Sequence, residues 1–329
     1  MRSVREQRGR RDPWRIGFAA AALLLVAGLA ALYAFAPKVE TLVLDERARA
    51  GAGGDFIALD DGMVHYELAG PEAAPTVVFL HGFATPYLIW DFNFSAVTAA
   101  GYRVLRFDLY GRGYSDRPET VAYGLDLFDR QLLQLIERLK LRTPLTLAGV
   151  SMGGAISVLF AERHPELVNG LILVDPAGFP MPVPGALKLL RVPGLGEYLM
   201  HVLGDRSIRA GIAANFFDES LLPDFERKFT VQLQYEGYQR AQLASLRDMP
   251  LQFLEASYRA VGAAGTPVLL LWGRGDAVIP FETSQQVMAA MPQARLLVID
   301  LAGHVPNYEK PEVVNPAMLA FLGDLQAPR

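Results

Sequence analysis

The sequence predicts an α/β protein with a mostly parallel sheet and helices on both faces. Three observations lead there. Short apolar runs bounded by turn residues recur as buried strands at 76–80, 104–107, 145–150, 171–174, 268–272 and 296–299. Stretches with apolar residues at helical spacing separate them, at 125–139, 155–163 and 283–291. Between 176 and 250 this rhythm breaks: prolines and glycines give way to helical stretches carrying Phe216, Phe217 and Tyr235, with no strand run. That segment reads as a helical insertion, and the remainder as one large core.

The elements follow in chain order. Residues 1–15 hold six arginines against Glu6 and Asp12, a local charge of +4 in a chain whose net charge is -4. The uncharged run 16–36 comes next, 21 residues that span about 31 Å as a helix, close to the roughly 30 Å of a bilayer's hydrocarbon core. It is longer than the apolar region of a signal peptide, about 7–15 residues. Ala34-Phe35-Ala36 has the form of a cleavage site, but Pro37 would follow the cut. The run therefore reads as an uncleaved signal anchor, with the arginines cytoplasmic and the rest of the chain across the membrane. Residues 37–54 read as a polar connector, with a short helix or strand at 40–50 left open.

A hairpin is expected at 56–59 and 63–68 around Asp60-Asp61-Gly62. Strand 76–80 leads into His81-Gly82-Phe83, and 87–100 reads as helical. Strand 104–107 ends at Asp108, followed by a Gly-rich loop over 109–118. A helix over 311–325 closes the chain. The expected division is a tail (1–15), an anchor (16–36), a connector (37–54), a core (55–177 and 251–329) and a cap (178–250).

The chemistry gathers at strand ends, where open α/β sheets bind ligands. After strand 145–150 the chain reads Gly149-Val150-Ser151-Met152-Gly153 and then turns helical. In that context G-x-S-x-G is a nucleophile elbow, a turn so sharp that glycines must flank it. A serine hydroxyl needs a base. Asp276 follows strand 268–272 and His304 follows strand 296–299, so the three reactive groups stand in the order Ser, Asp, His. His304 would move the proton and Asp276 would hold the imidazole. The backbone N–H groups of Met152 and Phe83 are the expected oxyanion donors, each worth roughly 3–4 kcal/mol at a dry transition state. Asp175, after strand 171–174, is the rival for the acid.

These motifs resemble the α/β-hydrolase family. H-G-F (81–83), D-L-Y-G-R-G-Y-S-D (108–116), G-V-S-M-G-G (149–154), G-R-G-D-A-V-I-P (273–280) and G-H-V-P-N-Y-E-K-P (303–311) stand in that family's order. The resemblance covers residues 55–329. It implies a mainly parallel eight-stranded sheet with helices on both faces and a cap inserted after strand 6, the place of 176–250. The serine at 151 sets the chain apart from relatives with an aspartate nucleophile. Phe83 departs from the small residue that many relatives carry there.

The expectation is a serine hydrolase that cleaves carboxylic esters through an acyl-enzyme, carboxylesterase-like or monoacylglycerol-lipase-like, with an apolar acyl group. Two alternatives stand beside it: hydrolysis of a carbon–carbon bond in a vinylogous diketone by the same triad, and a non-catalytic binding module. No cofactor is expected. No metal is expected either, since His and carboxylates lack ligand spacing. With no cysteine, thiol catalysis and disulfides are excluded. Outside the tail the chain is acidic, which argues against a nucleic-acid partner. Asp108 and His81 read as loop-ordering residues, and His65, His164 and His201 lack partners by spacing. Trp90, Phe92 and Phe94 fit pocket lining or core equally.

Overall fold

The computed structural model describes residues 13–181, 185–249 and 251–327. The basic tail up to residue 12 lies outside the described residues. Eight strands form one sheet: β1 (Asp55–Leu59), β2 (Gly62–Ala69), β3 (Thr76–Leu80), β4 (Arg103–Phe107), β5 (Leu145–Val150), β6 (Val168–Val174), β7 (Val268–Gly273) and β8 (Arg295–Ile299). Their order is β1-β2-β4-β3-β5-β6-β7-β8. The β1–β2 hairpin and the β2–β4 pair are antiparallel, and every other pair is parallel. All side chains of β3, β5 and β7 are buried, as expected of strands covered on both faces.

The helices are α1 (Pro13–Phe35), α2 (Glu46–Ala50), α3 (Asp91–Ala99), α4 (Leu125–Arg138), α5 (Met152–Arg163), α6 (Gly185–Leu190), α7 (Leu195–Ala213), α8 (Leu222–Phe229), α9 (Tyr238–Asp248), α10 (Glu255–Ala263), α11 (Thr283–Ala290), α12 (Pro306–Glu309) and α13 (Pro311–Gln326). Two apolar cores sandwich the sheet. One joins α4 and α5 to it through Phe128, Leu132 and Phe160. The other joins α3 and α13 through Val97, Met318 and Phe321, and takes in cap residues such as Phe225 and Phe229. Trp90 is fully buried, stacks on Phe79 and donates its indole N–H to the Leu80 carbonyl. Phe94 is buried in the same core, and Phe92 is half exposed. Of the two readings left open for these residues, core packing holds for Trp90 and Phe94, and none of the three lines the cavity described below.

Several expected boundaries shift for local reasons. Tyr87–Trp90 is a 3-10 turn that precedes α3. The elbow helix α5 begins at Met152, three residues before the apolar spacing suggests, because its first turn is built of glycines. In its described part the insertion 176–250 carries helices α6 to α9 and short 3-10 turns joined by loops, and its one β contact is the bridge at Tyr235.

Residues 38–54 are not slack. The side chain of Glu40 accepts the Gly237 N–H at 2.8 Å and the Gln239 N–H at 2.5 Å, so it holds the start of α9. Leu42 pairs with Tyr235 in an isolated parallel bridge. Asp45 caps α2, and Arg49 pairs with Asp116 of the core. The segment is polar because it binds cap and core by hydrogen bonds.

Among the described residues α1 carries the one helix segment long and apolar enough to cross a membrane, Gly17–Phe35, and that segment is 0% buried. A helix of the globular core would be covered, so this one is not part of the core.

Candidate active site

The elbow is built by close backbone approach. Ser151 has φ 54 and ψ -117, a conformation that costs a non-glycine residue energy and is held only when its surroundings enforce it. A Cβ on Gly149 would sit 2.3 Å from the Gly153 carbonyl oxygen, and one on Gly153 2.3 Å from that of Leu80. The turn therefore requires both glycines. The Ser151 N–H donates to the Val174 carbonyl, and the Ser151 carbonyl accepts from Ala177, which ties the elbow to the end of β6.

His304 and Asp276 lie in contact. His304 Nδ1 lies 2.7 Å from Asp276 Oδ2. The other Asp276 oxygen accepts the N–H groups of Val278 at 2.7 Å and Ile279 at 2.9 Å, so the carboxylate is fixed in place. With Nδ1 engaged, the free Nε2 edge of His304 points away from Asp276. Ser151 and His304 line the same cavity; no direct hydrogen bond joins them. Such contacts are often long in a free enzyme and tighten with substrate.

The loop after β3 lies against Ser151: a Cβ on Gly82 would sit 3.6 Å from Ser151 Cβ. Phe83 lines the cavity beside Gly82. Met152 opens α5 and is fully buried. Among the described residues neither the Phe83 nor the Met152 N–H meets a protein acceptor, which leaves both donors free.

Two supporting residues could not be read from the sequence as partners of the site. Arg112 of the Gly-rich loop is fully buried, donates Nε–H to the Phe83 carbonyl at 2.9 Å and lies over the Phe83 ring. Burial pushes its pKa down to about 10, which leaves it charged at neutral pH. Glu309 of α12 accepts the N–H groups of Phe217 (2.7 Å), Asp218 (2.9 Å) and Gly303 (2.6 Å), which pins the loop carrying His304. Burial raises its carboxyl pKa, against those three donors. Both residues belong to the quoted motifs, and only the fold shows what they hold.

Asp175, the rival for the acid, also packs against the site. It stands at φ 42 and is fully buried, and its Oδ1 accepts the Gly273 N–H at 3.0 Å. Asp175, Asp276 and His304 bring ligand-type atoms within 4.8 Å of one another. Burial, then the neighbouring Asp276 charge, drives the Asp175 pKa well above the ordinary carboxylate range. Two adjacent buried carboxylates do not both ionise. Burial pushes Asp175 toward its neutral form, and Asp276 is the one in contact with His304. The Asp276 oxygens already face protein donors, so this donor set fits a hydrogen-bonded array better than a cation site.

The remaining histidines sort by contact. His81 is fully buried; its Nδ1–H donates to the Gly82 carbonyl and its Nε2 accepts the Leu109 N–H. It orders its loop as a neutral ring, and burial lowers its pKa to about 4. His65 is not partnerless: its Nδ1 lies 2.7 Å from Asp108 Oδ2 and its Nε2 2.9 Å from the Gly53 carbonyl. Sequence spacing missed this pair because β2 and β4 bring the two residues together across 43 positions. His164 approaches Asp129. His201 lies against Tyr33 of α1.

The cavity measures about 710 Å³, within the range of small-molecule sites. Phe179, Met200, Ile208, Ile212, Leu251 and Ile279 are among its apolar walls, contributed largely by the cap. Of its two arginines, Arg247 is bound by Glu197 at 2.5 Å.

A family model described as "Alpha/beta hydrolase family" matches residues 77–317. A 2-hydroxy-6-oxononadienedioate/2-hydroxy-6-oxononatrienedioate hydrolase of Cupriavidus pinatubonensis is 28% identical over 283 residues, 82% of this chain and 95% of that protein. Lipase 1 of Psychrobacter immobilis is 26% identical over 275 residues, 83% of this chain and 84% of the lipase. A thermophilic esterase from Thermogutta terrifontis superposes with a TM-score of 0.71 at 25% identity, covering 83% of this chain and all of the esterase. The sheet order, the strained serine and these likenesses agree, and the chain belongs to the alpha/beta hydrolase family as a hydrolase.

Proposed function

We propose that this protein is a membrane-anchored serine hydrolase that cleaves carboxylic esters with apolar acyl groups. The observation that carries the reading is the convergence of Ser151 and an Asp276-held His304 on one apolar cavity. His304 Nε2 takes the Ser151 proton as Oγ attacks the ester carbonyl carbon. The oxyanion forms against the Phe83 and Met152 N–H groups. As the intermediate collapses, His304 returns the proton to the departing alcohol. A water, deprotonated by the same ring, then releases the acid and frees Ser151. Asp276 keeps Nδ1 protonated throughout. No cofactor enters this sequence of steps.

The anchor reading rests on the bare apolar segment Gly17–Phe35 and on the arginine excess before it. It assigns 1–15 to the cytoplasm, 16–36 to the bilayer, and the core (55–177 and 251–329) with its cap (178–250) to the far side, joined by 37–54.

The second reading is carbon–carbon bond hydrolysis, favoured by the names of relatives such as the one from Cupriavidus pinatubonensis. Those names denote dicarboxylate substrates. Here one lining arginine is occupied by Glu197, and Asp248 adds a negative charge to the wall. An uncharged apolar acyl group suits such a cavity better than a dianion. Assay of the full chain in detergent against p-nitrophenyl esters of rising acyl length, beside a vinylogous diketone, tests the choice. The expected result is ester turnover that persists or improves beyond the shortest chain. Turnover confined to the diketone would replace the first reading with the second.

A further inference from the structure

We propose that the cap face made by α6 and the first half of α7 lies in the surface of a lipid bilayer, so that the cavity mouth opens toward lipid. The proposal rests on α1 being a membrane anchor. Its own evidence is the contact between α1 and the cap. The Tyr198 hydroxyl donates to the Leu29 carbonyl at 2.9 Å, and His201 Nε2–H donates to the Tyr33 carbonyl at 3.1 Å. The Tyr33 ring stacks on Tyr198 and packs against His201.

These contacts fix a depth. Leu29 lies six residues before the helix end at Phe35, about 9 Å along the axis. The apolar segment is 19 residues long, about 28 Å, and has no length to spare in a hydrocarbon core of roughly 30 Å. A cap helix that reaches Leu29 therefore enters the boundary between headgroups and acyl chains. Interfacial helices settle at about that depth, 5–10 Å.

The surface of α7 suits this position. Leu195, Leu199, Val202 and Leu203 follow one another at i, i+4, i+7 and i+8, the spacing of one helical face. Leu195 and Leu203 are exposed, and none of the four packs into either apolar core among the described residues. Leu187, Leu189 and Val192 extend the exposed apolar surface onto α6 and the turn after it, with Lys188 and Arg191 beside them for anionic headgroups. The cavity is continuous with this face. Leu187 and Phe253 are exposed at 38% and 75% and also line the cavity, so they form its rim. An apolar ester dissolved in the bilayer would enter without crossing water.

The absence of cysteine allows single spin labels to be placed in the full chain. Label carriers are Leu195→Cys and Leu203→Cys on the cap face, Leu24→Cys in the anchor, and Glu166→Cys just before the amino end of β6, at the end of the strands opposite the cavity. In vesicles of phosphatidylcholine and phosphatidylglycerol, collisions with oxygen and with a water-soluble nickel chelate report depth. The expected result is several-fold greater oxygen than nickel access at 24, 195 and 203, and the reverse at 166. Water-like labels at 195 and 203 beside a lipid-like label at 24 would overturn the cap proposal and leave the anchor standing. A water-like label at 24 would overturn the anchor reading, and the cap proposal with it. A kinetic readout accompanies the labels. Leu195→Glu with Leu203→Glu should lower turnover of a long-chain ester dissolved in the vesicles about tenfold, close to the cost of removing one leucine from an apolar environment. Its hydrolysis of soluble p-nitrophenyl acetate should stay within about twofold of wild type. Equal rates on the vesicle ester would contradict the proposal.

Discussion

Two carboxylates share the acid end of the site, and their environments assign different roles. Asp276 is held by two backbone N–H groups and faces His304 Nδ1. Asp175 is fully buried beside it and pushed toward its neutral form. Asp276→Asn leaves the imidazole without the acceptor that sets its tautomer, and kcat should fall by about 10⁴. Asp175→Asn replaces a neutral group by a neutral group of the same shape, and kcat should fall by less than about tenfold. Steady-state kinetics on one ester checks the ranking; the reverse order would move the acid to 175. Glu309 is expected to act on position alone. Glu309→Gln presents an amide where backbone N–H groups need an oxygen, a loss of about 1–3 kcal/mol. It should lower kcat while leaving KM and the far-UV spectrum near wild type.

Among the elements, the elbow has the least tolerance. Gly153→Ala would drive a methyl group into the Leu80 carbonyl, so the variant should lose soluble expression or activity outright, as judged by yield and circular dichroism. Strand runs and the G-x-S-x-G turn were legible in the sequence because each is a local pattern: β3, β5 and β7 are unbroken apolar runs. The residues proposed for catalysis were legible because each follows such a strand. What stayed hidden depends on contacts between distant segments. His65 looked isolated until β2 and β4 set it on Asp108. Glu40 looked like part of a loose connector until its carboxylate was seen to hold the start of α9. Polar residues that bind backbone N–H groups leave no periodic signature, so spacing alone does not reveal them. The aromatic run at 90–94 left two readings open for the opposite reason, since a core and a pocket both call for the same side chains.

At the scale of the whole molecule, stability should depend on pH through its buried rings. His81 takes its proton at about 4 in the fold and at roughly 6.5 when unfolded. Its folded pKa is depressed, so the unfolded chain binds more protons between those values. Stability from this residue is present above pH 6.5 and lost as pH falls toward 4, about 3 kcal/mol in all. His65 works in the other direction. Burial lowers its pKa, but the Asp108 carboxylate outweighs that and the net shift is upward. Its contribution is full below the ordinary histidine value and declines as pH rises through the folded one. Thermal melts should show Tm falling between pH 6.5 and 4, with imidazole NMR showing His81 neutral at pH 5.5; a protonated His81 there would contradict the assignment. The segment 38–54 belongs to the folded body, so removal of residues 1–37 should give a folded, active protein. Removal of 1–54 takes away the Glu40 and Gly53 contacts and should lower Tm by several degrees or more.

The hydrolase reading depends on Ser151 being an activated nucleophile at the mouth of the oxyanion donors. A fluorophosphonate probe tests this directly, since it reacts only with a serine whose base and oxyanion site are assembled. The expected result is one phosphonyl adduct on the peptide bearing Ser151, absent in Ser151→Ala and in protein unfolded by heat. Folded wild-type protein that takes up no probe, or a Ser151→Ala variant that is labelled as fully as wild type, would contradict the account.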